Sequence, residues 1–190
     1  MAGEAKRLTQ EIEVRPPSSD DLPALRRFAA AVPAHDLLFL ARNIREPRVL
    51  EAWVAGVAAG EIDSLIALTG GEIIATVANV SDALSWSAHV WDIRLLVAPD
   101  HRNRGIGRTL LERAIALGAD RRASKLTARM TPDQTGAITL FEECGFRAEA
   151  LLHDHVRDDG GTEHDLAVLF MKPERESARR ESARREAFGD

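Results

Sequence analysis

Apolar and polar residues alternate from Glu11 to Pro16, the two-residue period of a half-buried strand. The period then lengthens. Within SSDDLPALRRFAAAVP, Leu22, Leu25, Phe28 and Val32 recur at helical spacing and mark one buried face. Ser18 or Ser19 can cap this helix, Asp20 and Asp21 suit its positively polarised first turn, and Pro33 stops it. A second helix is predicted from Pro47, presenting Val49, Leu50, Trp53, Val54 and Val57 before Gly60. SLIALTGGEIIATVANV reads as two strands turned at Gly70-Gly71, because paired glycines accept the positive φ angles of a tight hairpin. HVWDIRLLVAP (89–99) is a strongly apolar strand ended by Pro99. A glycine-rich loop follows, then a helix whose predicted buried stripe is Ile106, Leu110, Ala114 and Leu117. KLTARMTP (125–132) is a further strand and QTGAITLFEECGF (134–146) a short helix closed by Gly145. The last two strands flank a turn at Asp159-Gly160-Gly161.

Composition narrows the class of partner. At 190 residues, 45% apolar and 29% charged, the chain suits one well-cored domain. A net charge of −5 gives no support to a nucleic-acid partner and mild support to cationic substrates. The single cysteine, Cys144, excludes an internal disulfide and fits a reducing compartment. Residues 1–10 read as a flexible leader without the apolar stretch of a secretory signal, and no run reaches the roughly 18 apolar residues that span a bilayer. A cytoplasmic protein with no membrane partner is expected. The domain is expected to cover 11–172. Residues 173–190 carry ESARR twice and balance five acids against five arginines, the composition of a solvated helix or disordered tail.

The chemistry is concentrated in PDHRNRGIGRTLLERA (99–114). A strand, a glycine loop and a helix start in that order can hold phosphate, since glycines let backbone N–H groups approach an anion and the helix start adds free donors. No lysine follows Gly107 as a P-loop requires, and the third glycine of a dinucleotide loop is missing. A plain tight turn with solvated arginines fits the loop alone equally well.

The longer pattern is more specific. Arg102-Asn103-Arg104-Gly105-Ile106-Gly107 resembles R/Q-x-x-G-x-G/A, the acyl-CoA pyrophosphate loop of the GNAT family of N-acetyltransferases. AITLFEECGF resembles that family's second marker, and HDHVRDDGGTEHDLAVLFM its closing strands. The resemblance is close from about residue 89 to 172, and the element order from 11 to 80 suits it. It implies an α/β fold with a mixed, mostly antiparallel, twisted sheet, helices on both faces and a V-shaped split that holds acetyl-CoA. It implies that main-chain N–H groups of Arg102, Asn103, Arg104, Gly105, Ile106, Gly107 and Arg108 wrap the pyrophosphate, with the three arginine side chains available to phosphate. Pantetheine would pair with the main chain around Leu95 and Val97, and an amide there would polarise the thioester carbonyl.

The implied reaction moves acetyl from acetyl-CoA to a primary amine, on a small molecule or a protein; a catalytically degenerate acyl-CoA sensor is the alternative. The chain contains no tyrosine, so Phe141 stands where the family often has a Tyr that protonates departing CoA, and Gln134 stands where an Asn is common. Phe141 also falls in a stripe with Ala137, Leu140 and Cys144 and so suits core packing. Asp92, on the strand of the cofactor contacts, is the candidate general base, with an ion pair to Arg94 as its other reading. His153, His155 and His164 match no zinc spacing and read as polar hairpin residues, so no metal is expected. Residues 34–60 and the 153–165 hairpin would bind the acceptor. Relatives of this kind often form homodimers.

Overall fold

The computed structural model describes residues 12–173, so the leader, Glu11 and the ESARR repeats lie outside the described residues. In chain order the elements are β1 (Glu13–Arg15), α1 (Leu22–Ala31), α2 (Pro47–Ala58), β2 (Ile62–Thr69), β3 (Glu72–Val80) and β4 (Val90–Val97). Then come α3 (Ile106–Asp120), β5 (Lys125–Met130), α4 (Thr135–Glu143), β6 (Arg147–Arg157) and β7 (Glu163–Met171). Single 3-10 turns occupy Ser19–Asp21, His35–Leu37 and Pro99–His101.

Local chemistry accounts for the starts and turns. Ser18 N–H donates to Asp21 Oδ2 at 2.8 Å ahead of α1. The same carboxylate accepts from Arg15 Nη1 at 2.7 Å and Nη2 at 2.8 Å. These Arg15 hydrogen bonds hold the buried Asp21 carboxyl down to a pKa of about 2. Gly70 and Gly71 adopt φ of 58° and 83°, and Thr69 pairs with Glu72 across them, which closes the two-residue hairpin.

The seven strands form one sheet in the order β1-β2-β3-β4-β5-β7-β6. Each neighbouring pair is antiparallel except β4 and β5. That parallel pair is hydrogen-bonded only where Val90–Asp92 faces Lys125–Thr127. Beyond it β4 stays with β3 and β5 with β7, so the two strands part and open a split in the sheet. Helices cover both faces. Leu25, Phe28, Leu50 and Val54 of α1 and α2 pack with Ile66, Leu68 and Leu96. Leu110, Leu111 and Phe141 of α3 and α4 pack with Ile74, Ile93 and Leu126 on the other side.

Two expectations are corrected in detail. Leu117 is only half-buried, and the inner stripe of α3 is Ile106, Leu110, Leu111, Ala114 and Gly118. A Cβ on Gly118 would come within 2.7 Å of Leu126, so this glycine lets the end of α3 press onto β5 and turns Leu117 aside. The regular alternation of His153, Asp154 and His155 implies that the two histidines share one strand face; instead the register of β6 slips between Leu152 and Val156 and Asp154 takes φ of 50°.

Candidate active site

The loop after β4 is built from left-handed residues. Asn103 has φ of 58° and Gly105 φ of 81° at the N-cap of α3, conformations that a β-carbon disfavours. The first bond of the helix is Thr109 N–H to Gly105 O at 3.1 Å. Among the described residues, the N–H groups of Asn103 through Arg108 have no acceptor. A run of unsatisfied donors at the positive end of a helix suits an anion. Gly107 has a second reason to be small: its Cβ would lie 3.3 Å from Leu140 and 3.5 Å from Val97, where α3 meets α4 and β4.

This loop borders a cavity of about 770 Å³ in the split. Leu95, Val97, Arg102, Asn103, Gly105, Gly107, Arg108, Gln134 and Phe141, all expected at the site, line it, as does His101. Ile106 and Arg104 do not: Ile106 is buried in the α3 core and Arg104 is exposed. Ala98 N–H donates to Ile74 O at 2.9 Å on β3. Strand main chain alternates direction, so the polar groups of Val97 and Leu95 face the open edge. Val97 O there accepts from Arg102 Nε at 3.1 Å.

The three arginines differ from the expectation that all are available to phosphate. Arg102 Nη2 donates to Asp36 Oδ2 at 2.6 Å, and Arg108 pairs with Glu143. Arg104 has no ion-pair partner among the described residues. Gln134 reaches Asp36 as well, its Nε2 lying 3.4 Å from Oδ1, while its Oε1 accepts from Thr131 N–H at 3.2 Å. Asp36 therefore ties the turn before α2 to both sides of the cavity mouth, a role no sequence motif marks. His35 beside it bonds Asp133 at 2.8 Å and Thr131 at 3.2 Å.

Asp92 stands on the opposite face of β4 and outside the cavity. Its Oδ2 accepts from Arg94 Nε and from Arg129 Nη2, each at 3.0 Å. Oδ1 lies 3.4 Å from Thr127 Oγ1 and from Arg129 Nε. The ion-pair reading of Asp92 is thus realised and extended to Arg129, which the sequence had not singled out; neither oxygen is left without a donor. Phe141 is buried and meets Phe146 edge-on at 5.0 Å, so its role includes the core packing anticipated for it. Burial pushes the Cys144 thiol up, against the positive charge of Arg108. His153 pairs with Asp165 and His164 with Asp158.

A second cavity, about 440 Å³, opens on the α2 face between the 40–44 segment, α2 and strands β2 to β4. Leu96 borders both cavities, which lie against the same strand β4. Of the two stretches expected to bind the acceptor, 34–60 lines this cavity through Leu40, Ala41, Arg42, Ile44, Val49, Ala52 and Trp53, whereas none of the 153–165 hairpin does.

Comparison with known proteins agrees with this fold. A ribosomal-protein-alanine N-acetyltransferase from Brucella melitensis superposes with a TM-score of 0.72 at 21% identity, over 84% of this chain and 99% of that one. An N-acetyltransferase from Staphylococcus aureus Mu50 gives 0.74 at 17% identity, over 86% and 99%. A spermidine N-acetyltransferase from Vibrio cholerae, in complex with CoA and spermine, gives 0.70 at 17% identity, over 85% and 95%. No curated protein matches the sequence significantly. The model of the acetyltransferase (GNAT) family matches residues 32–146, which contain the split, the glycine loop and the residues lining both cavities; the chain belongs to the GNAT acetyltransferase family.

Proposed function

We propose that the protein transfers acetyl from acetyl-CoA to a primary amine by direct attack. The observation that carries this reading is the run of free N–H groups from Asn103 to Arg108 at the head of α3, opening onto a split edged by Leu95 and Val97. The pyrophosphate of CoA would sit on those donors, with Arg104 the guanidinium free to join it. Pantetheine would run along the open edge of β4, and a main-chain amide near Leu95 would receive the developing oxyanion.

The amine enters from the α2 face, past Leu96. Its nitrogen bonds to the acetyl carbon, the carbon–sulfur bond breaks, and the amine proton leaves to water as CoA departs as thiolate or thiol. A free thiol has a pKa near 8.5, so thiolate departure without an acid is tolerable. We assign Asp92 the role of positioning Arg94 and Arg129 rather than taking that proton, since both its oxygens are already hydrogen-bonded. Purified protein incubated with acetyl-CoA and a broad amine panel should release CoA thiol in proportion to N-acetylated product. Tight cofactor binding with no release across the panel would instead support the sensor reading.

A further inference from the structure

The cavity on the α2 face is lined by charge of one sign. Its walls are apolar, with Leu40, Ile44, Val49, Trp53 and Leu96 prominent, and the charged residues that line it are Arg42 and Arg94; no acidic side chain does. Arg94 shares Asp92 with Arg129, so this cluster of two guanidiniums and one carboxylate keeps a net positive charge. Arg42 is exposed and has no ion pair among the described residues. The local charge is thus opposite in sign to that of the whole chain, whose net charge is −5.

Resting on the acetyl-transfer reading, we propose that the acceptor is a small amine with an apolar body and a carboxylate, the chemistry of an apolar α-amino acid. A cavity of about 440 Å³ is of small-molecule size. With the amine directed past Leu96 toward the thioester, the carboxylate meets Arg42 and Arg94 and the side chain meets Trp53, Ile44 and Val49. Charge-assisted hydrogen bonds from guanidinium to carboxylate give both strength and orientation. A polyamine would bring further positive charges against two arginines with no lining acid to balance them, a built-in rejection. A peptide's terminal amine lacks the adjacent carboxylate.

The test compares L-leucine, L-methionine and L-phenylalanine with their decarboxylated amines, their amides, spermidine and a leucine-led tripeptide, reading CoA thiol release. The amino acids should exceed the matched amines and amides at least tenfold in kcat/KM. R42A and R94A should each drive that ratio toward one, and R42K should restore part of it. In parallel, N-acetyl-L-leucine and its uncharged counterpart N-isopentylacetamide are titrated into CoA-loaded protein by calorimetry. At least tenfold tighter binding of the anion, lost in R42A, supports the acceptor class even where no amine turns over; that combination would overturn acetyl transfer alone. Equal binding of the two, or preference for spermidine, for the decarboxylated amines or for the tripeptide, overturns the inference and leaves acetyl transfer standing.

Discussion

The guanidinium of Arg102 lies 2.6 Å from the carboxylate of Asp36, joining the glycine loop to the turn before α2 across the mouth of the larger cavity. Arg102 therefore neutralises an acid that would otherwise face an anionic cofactor. Arg102→Ala should weaken acetyl-CoA binding by about tenfold, the scale of one charge-assisted contact. Asp36→Asn in the same chain should recover most of that loss, because the repelling charge is gone. Calorimetry on the double-mutant cycle decides. If Asp36→Asn rescues nothing, Arg102 touches the phosphates itself.

Asp92 offers a sharper distinction between holding and catalysis. Its carboxylate is mostly buried, 14% exposed, and bridges Arg94 and Arg129. Asp92→Asn leaves two guanidiniums without their common partner and should cost about 1–2 kcal/mol of stability, between the values of an exposed and a buried ion pair. As a positioning change it should raise KM for the acceptor while the acidic limb of the pH–rate profile persists. Loss of that limb in Asp92→Asn would make Asp92 the base after all.

Phe141→Tyr places a hydroxyl at the cavity wall where family relatives often carry one. A positioned general acid contributes roughly 10²–10⁴-fold, so a gain in kcat of at least tenfold is expected if departure of CoA is acid-limited. We expect that gain. An unchanged kcat with intact folding would show that thiolate leaves unaided.

The fold carries a pH dependence of its own in Asp21. Its folded pKa, about 2, lies below the ordinary carboxylate value of 3.8, so the unfolded chain binds the proton first as pH falls. The contribution is complete above pH 5 and is lost as pH drops through 4 toward 2, by about 2 kcal/mol. Denaturant titrations at pH 6 and pH 2 should show this loss in the wild type and a smaller one in Asp21→Asn. Equal losses in both would show that Asp21 does not set the acid sensitivity of the fold.

What the sequence disclosed was what neighbours in the chain decide. Gly70-Gly71 must turn, Pro99 must end a strand, and Gly105 before Ile106 must open a helix with unsatisfied donors. The periodic apolar stripes placed α1, α2 and α3, and the glycine loop marked the cavity it lines. Long-range pairing stayed hidden. Asp36 meets Arg102 from another part of the chain, and Arg129 joins Asp92 only because β4 and β5 run side by side for a few residues. The charge of the second cavity was equally hidden, since Arg42 and Arg94 come to line it only after β2, β3 and β4 have paired and α2 has packed across them. The slip in β6 has no sequence marker either, for HDH alternates as a regular strand would.

In the proposed complex the main chain from Asn103 to Arg108 holds the pyrophosphate of acetyl-CoA. The most direct measurement is a calorimetric titration of acetyl-CoA into the wild type and into Gly105→Val, whose β-branched side chain cannot easily adopt φ of 81°. Micromolar binding by the wild type and a loss of at least tenfold in the variant are expected, with both proteins folded by circular dichroism. Absence of binding by the wild type, or equal binding by the two, would mean that the loop does not hold the cofactor.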